Sequence, residues 1–307
     1  RVLFRSGDKI PLASHIIHLA DRLAVLVPKN IHALAKVQDI CHEIEERRGT
    51  WFHPDMVDAV LALAKHDHVW LDVVSHAAER PILDCLREPA RKATLDELLA
   101  FGDLVCRLID FRSPFTATHS SGLAATAVAL AQRLEFNEDE QKLIRLAANL
   151  HDLGKLAVPL EILEKPGRLT EDEWHTMRSH VYYTFQALTQ VPALEALTSW
   201  SALHQERLNG SGYPFGYAAD RLPPGARVLA VADVFVGITE NRPYRKGMSQ
   251  TEARNVLQEM ADSRELDPDI VAVLLDDFES LNAIRTEAQD RAREAFAEFR
   301  EHCGLPA

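Results

Sequence analysis

Several features are scarce in this 307-residue chain, and each absence removes a class of explanation. Glycine numbers only 13, and no convincing alternation of apolar and polar residues marks strands, so a sheet-built fold is disfavoured. Every apolar stretch is broken by a charge well before the length needed to cross a bilayer, so no membrane span is expected. The four cysteines, Cys41, Cys85, Cys106 and Cys303, include no CxxC pair. Neither a thiolate metal site nor a disulfide framework is indicated, and a reduced cytoplasmic protein is expected. Basic charge is also short: 34 Lys and Arg stand against 46 Asp and Glu, a net charge of −12. A nucleic-acid polymer is therefore not an expected partner, because binding one needs a basic face. An anionic small substrate would need a local positive cluster or metal ions to overcome that field. The chain opens on Arg1 rather than Met, with no signal peptide, which reads as a fragment or a processed chain.

What is abundant is helix-forming: Ala, Leu, Glu and Arg dominate. Capping boxes announce helix starts at Asn137 with Glu140, Thr170 with Glu173, and Ser249 with Glu252. Asp267-Pro268 puts proline at a first helical position. Loops fall at Lys165-Pro166-Gly167, Asn209 to Pro214, and Leu222 to Gly225. The fold class is all-α. A boundary is expected near 80–92, giving a helical domain over 1–90, a main domain over 91–280 and a C-terminal helix over 281–307. In that last segment Ile284, Ala288, Ala292, Phe296 and Phe299 form a partial apolar stripe, a packing or self-association face. Residues 8–21 run parallel to 220–233, and 51–57 match 265–271, at a nearly constant offset. Residues 1–90 are thus read as the tail of a second copy whose front half is missing.

Of 14 histidines, eight precede residue 80 with no metal-binding spacing, and most are read as surface or satisfied core side chains. The centre of interest is His151-Asp152, at the end of an apolar helical run. A charged pair there is costly unless partnered. A metal ion would partner both, and an aspartate has two oxygens with which to bridge two ions. Taken alone, the pair leaves open a helix end whose His and Asp face solvent.

The ordered set Thr118-His119-Ser120, His151-Asp152-Leu153-Gly154-Lys155, His180, His204-Gln205-Glu206, Gly210-Ser211-Gly212-Tyr213-Pro214 and Ala232-Asp233 resembles the HD-GYP family. Lys165 to Thr170 and Asn241-Arg242-Pro243-Tyr244-Arg245-Lys246 extend the match, which runs from residue 95 to 278. The partial first copy resembles a tandem subgroup. The resemblance implies an HD-superfamily helical bundle preceded by a smaller helical domain. It implies that His119, His151, Asp152 and Asp233 hold one metal ion, and that Asp152 bridges to a second held by His180 and His204. Iron or manganese are the family's usual metals. A hydroxide bridging them would attack a phosphodiester phosphorus, and cyclic di-GMP is the substrate implied. Lys155 would steady phosphoryl oxygens, while Arg242 and Arg245 would contact phosphate and guanine. Tyr213 offers a ring and hydroxyl to substrate, and the Gly210–Pro214 loop is linked in the family to specificity and protein partners.

Three departures stand out. Gln205 occupies the place of a usual second histidine, which weakens the second ion. Phe115 replaces a glutamate that holds a third metal in some members, and Val236 replaces a common aspartate. They keep open a degenerate module that signals through nucleotide or protein binding, and a phosphohydrolase for another phosphoester is a third reading. Residues 1–90 are read as lacking an HD pair and a GYP-like loop. They are expected to be a non-catalytic platform for dimerisation or sensing.

Overall fold

Helices begin where the sequence places their caps. In the computed structural model, which describes residues 10–27, 31–74, 93–111, 118–165, 167–241 and 246–302, the Asn137 side chain accepts from Glu140 N at 2.9 Å while Glu140 reaches back to Asn137 N. Thr170 with Glu173 and Ser249 with Glu252 close in the same way. Asp267 Oδ1 accepts from Asp269 N, with Pro268 as the first helical residue. Among the described residues there is no strand, only isolated bridges between Arg48 and Phe52 and between Asn209 and Ala218. None of the described helices is long and apolar enough to cross a membrane. Phe115, Cys85, Cys303, Arg242 and Arg245 lie outside the described residues.

The chain separates into two compact units, 1–90 with 170–176, and 91–169 with 177–307. The first unit holds α1 (Leu12–Leu26), α2 (Val37–Glu46), α3 (Pro54–Leu63) and α4 (Asp67–Val74). Leu19, Val27, Leu34, Ile40, Ile44, Phe52, Val57, Trp70 and Leu71 are its buried apolar residues among those described. At the segment that matches 265–271, His53 Nδ1 accepts from Asp55 N ahead of α3, the same Pro-at-N1 arrangement that Asp267 makes.

The second unit holds α5 (Leu95–Asp110), α6 (His119–Arg133), α7 (Glu138–Leu150), the short α8 (Leu160–Leu163), the bulk of α9 (Glu171–Leu188), α10 (Glu195–Ala202), α11 (Pro224–Thr239), α12 (Gln250–Asp262), α13 (Pro268–Asp276) and α14 (Phe278–His302). Helix α6, rich in Ala, Ser and Gly, is buried along most of its length and packs against α7, α11 and α14. Small side chains let the neighbouring backbones approach closely. Leu123, Leu130, Ile144, Leu146, Leu229 and Phe235 are fully buried in the core they share. The C-terminal stripe is a packing face within this unit: Ile284 packs on the main core, and Phe296 and Phe299 lie 5.0 and 4.8 Å from the Phe111 ring.

Candidate metal centre

Helix α7 buries Ile144 and Leu146 through Leu150, then ends at His151. The chain turns inward there: His151 is 1% exposed and Asp152 4%, so the alternative of a solvent-facing pair is set aside. A tight 3₁₀ turn over Leu153–Ala157 follows. Gly154 makes the turn fit, since a Cβ at this position would stand 1.9 Å from the His180 carbonyl oxygen on α9. Thr184, one turn further along α9, accepts from Gly154 N at 2.9 Å and donates to His151 O at 3.0 Å. These bonds fix the HD turn against the helix that supplies His180.

Asp152 faces two imidazoles with its two oxygens. Oδ2 lies 3.0 Å from His151 Nε2 and Oδ1 lies 3.2 Å from His180 Nε2. Lys155, in the 3₁₀ turn, brings Nζ to 2.5 Å from Oδ2. His119, the first residue of α6, places Nε2 3.1 Å from Asp233 Oδ1, in the middle of α11. Nitrogen and oxygen atoms of His119, His151 and Asp233 lie within 4.8 Å of one another, as do those of His151, Asp152 and His204. His204 therefore groups with His151, at 4.9 Å between ring centroids, more closely than with His180, at 6.1 Å.

The protonation pattern shows what this cluster can hold. His151, His180 and His204 each direct Nδ1 at a backbone carbonyl three residues earlier: Ala148 O at 2.7 Å, Met177 O at 2.5 Å and Ser201 O at 2.7 Å. A carbonyl only accepts, so Nδ1 carries a proton in each ring and Nε2 is the nitrogen that meets the site. Burial pushes His204 down to about 3, leaving it neutral, and its Nε2 is buried with no hydrogen-bond partner. A stranded buried acceptor costs roughly 1–3 kcal/mol. Asp152 and Asp233 are buried too, yet their histidine neighbours, joined at Asp152 by Lys155, hold both carboxyls well below the usual range. The ionised Asp152 carboxylate, 3.0 and 3.2 Å from two imidazole nitrogens, needs positive charge between them, either a proton on Nε2 or a cation. At Asp233 a protonated His119 supplies such charge: burial works against the charged imidazole, but Glu240 and Asp233 outweigh it and raise it to about 10. A divalent cation supplies the same charge and also partners His204 Nε2, so the residues present fit such an ion, with nitrogen and oxygen donors and no thiolate.

Further residues surround the cluster, and the contacts of Gln205, Glu206 and Glu240 were not legible in the sequence. Gln205, judged a poor ligand, turns its amide to donate to Asp233 Oδ2 at 2.9 Å. Glu206, 1% exposed, accepts from Phe215 N at 2.7 Å and Tyr217 N at 2.9 Å and so ties down the loop after it. Burial raises its carboxyl to about 7 despite those donors. Tyr213 is anchored by its N–H to Gln205 O and lies under the Arg178 guanidinium at 4.5 Å. Burial pushes its phenol up, which keeps it a hydrogen-bond donor. Glu240, at the end of α11, touches His119. The N-terminal region needs one correction: His66-Asp67 is an HD dipeptide within residues 1–90.

Comparison with known proteins follows the same lines. Residues 103–270 match the family described as HD domain. The 3'3'-cGAMP-specific phosphodiesterase 1 of Vibrio cholerae is 32% identical over 278 residues, 88% of this chain and 64% of the relative. The 3'3'-cGAMP-specific phosphodiesterase 3 of the same organism is 31% identical over 275 residues, covering 88% and 58%. The cyclic di-GMP phosphodiesterase response regulator RpfG of Xanthomonas campestris is 37% identical over 178 residues, 56% of this chain and 46% of that protein. The chain thus spans about three fifths of the length of the two Vibrio relatives. With a family match over more than half its length and the motifs of the HD-GYP branch in order, this chain belongs to the HD domain family, as a member of its HD-GYP branch.

Proposed function

We propose that the chain is a metal-dependent phosphodiesterase for cyclic dinucleotides, with two divalent ions held by His119, His151, Asp152, His180, His204 and Asp233, iron or manganese by donor type. The observation that carries this reading is the buried, neutral His204, whose unpartnered Nε2 lies within 4.8 Å of the donor atoms of His151 and Asp152. Ions bound there lower the pKa of water and offset charge on a phosphodiester. The chain's own residues do the rest. Asp152, with one oxygen towards His151 and the other towards His180, is placed to serve both ions. Lys155, 18% exposed at the edge of the cluster, is the ammonium that steadies a phosphoryl oxygen. Tyr213 donates from its phenol, and its loop is a surface for a protein partner. Arg242 and Arg245 remain the proposed phosphate and guanine contacts.

Cyclic di-GMP is the first substrate proposed, from the motif set. A specific observation favours a second, 3'3'-cGAMP: the two relatives named for it align across 88% of the chain, and RpfG across 56%. Both substrates carry guanine and a 3',5' ring, so both suit the same pair of arginines. The test is metal analysis of anaerobically purified protein, with turnover of each dinucleotide on the same sample. Close to two ions per chain with turnover is expected, and the faster substrate decides between them. No turnover after iron or manganese is restored would overturn the enzyme and leave a signalling module.

A further inference from the structure

His119 meets the metal cluster with one nitrogen and something else with the other. Nε2 points to Asp233 Oδ1; Nδ1 lies 3.1 and 3.3 Å from the two oxygens of Glu240, which is 4% exposed. Unlike the other three imidazoles, whose Nδ1 atoms meet neutral backbone carbonyls, this one is backed by a carboxylate. A carboxylate there fixes the ring and makes Nε2 a stronger donor to a cation. Asp233 and Val236 lie at i and i+3 of α11, and Glu240, the residue that caps its C-terminus, follows at i+7, hence on the same face. The aspartate missing at Val236 is thus answered by an acid one turn further on.

A buried carboxylate needs its own support. Gln289 on α14 donates from Nε2 to Glu240 Oε2 at 3.1 Å. Its carbonyl accepts from the buried Arg285 Nη1, and Arg285 is braced by Asn282 Oδ1 at 2.9 and 3.0 Å. Gln289 reaches this place only because Gly122, one turn after His119 on α6, has no side chain. A Cβ there would stand 2.8 Å from Gln289 Cγ and 2.9 Å from its Nε2. The chain of contacts runs from the metal cluster to the C-terminal helix without a gap.

On the reading that His119 is a metal ligand, we propose that Glu240 is its positioning residue, and that Gln289 and Arg285 make the C-terminal helix α14 a working part of the metal centre. The experiment titrates metal-free protein with Mn(II), measuring affinity and the number of ions bound, with the melting temperature of the metal-free variants as a fold control. Glu240→Gln keeps the shape and packing of the side chain and removes its charge, so a purely structural role leaves affinity unchanged. The expected result is a loss of roughly 10–100-fold at one ion per chain. Gln289→Leu, which leaves the carboxylate but strips its donor, is expected to weaken the same ion several-fold. His119→Ala separates the two levels of the argument. Should His119→Ala bind Mn(II) like the parent, the site reading itself fails. Weak binding in His119→Ala with parental binding in Glu240→Gln overturns the positioning role alone. Parental affinity in a folded Gln289→Leu detaches α14 from the metal centre.

Discussion

The same dipeptide occurs in both units, and only one copy sits in a cluster of candidate metal donors. His151-Asp152 ends a helix inside the core; His66-Asp67 follows a turn, and Asp67 opens α4 with both residues half-buried. His151 has Nδ1 tied to Ala148 O, which aims Nε2, whereas His66 Nδ1 has no hydrogen-bond partner and the ring lies 5.8 Å from that of His68. Elsewhere in the N-terminal unit His15 pairs with the His53 ring and His18 with Phe52. Among the described residues, every group of three metal donors belongs to residues 119–233, although eight of the 14 histidines precede residue 80. Histidine number does not make a metal centre. Fixed tautomers and buried ionised carboxylates do, because together they leave a deficit of positive charge that a cation fills.

The sharpest way to break this contrast is to remove the acid from each dipeptide. Asp152→Ala is expected to lose both metal and turnover together, and to cost the metal-free chain on the order of 3 kcal/mol by stranding the Lys155 ammonium and two buried imidazoles. Asp67→Ala is expected to keep the parental metal content. Metal lost from Asp67→Ala would put the N-terminal unit back into the metal chemistry. Next in size comes Lys155→Met, expected to keep its ions while turnover falls by about 10²–10³-fold, the usual cost of one preorganised charge donor. Parental turnover in that variant would assign Lys155 only to the ion pair with Asp152.

Much of the contrast was legible beforehand. Capping boxes and Asp267-Pro268 set helix starts through bonds spanning two or three residues, and such local chemistry can be read directly. His119, His151, Asp152, His180, His204 and Asp233, which the fold gathers into one cluster, were legible through motif order. Glu240 was not, because its contact with His119 closes over 121 residues and that with Gln289 over 49. Gln205 shows a finer limit. Residue type told that an amide is a poor ligand, but not that its NH₂ would turn to Asp233 Oδ2. His66-Asp67 shows the converse: a two-residue match carries nothing until burial and a tied Nδ1 accompany it.

Gln205→His is a smaller test, inside the site. It exchanges a donor to Asp233 for a nitrogen ligand, so occupancy of the second ion, measured as metal per chain at limiting Mn(II), should rise. Flat occupancy would mean that position 205 faces Asp233 alone and does not reach the second ion.

The smallest expected effect contrasts the acids of the two units by the sign of their pH dependence. Glu43 is lowered by its hydrogen bond to Arg22, and Asp58 by its bond to Arg48. Groups of that kind contribute stability above their unfolded pKa and lose it as pH falls. Both pairs are partly exposed, so that contribution is slight. Glu206 works the other way, because burial raises it from 4.5 to about 7. Its contribution is complete below pH 4.5 and is lost as pH rises through 7, with an upper limit of roughly 3 kcal/mol. Glu206→Gln removes that ionisation while keeping one carbonyl for the N–H groups of Phe215 and Tyr217. Urea unfolding of metal-free protein should therefore find Glu206→Gln gaining on the parent between pH 5 and 8. A constant difference between the two proteins over that range would mean that Glu206 is already ionised at pH 5, with its backbone donors outweighing burial.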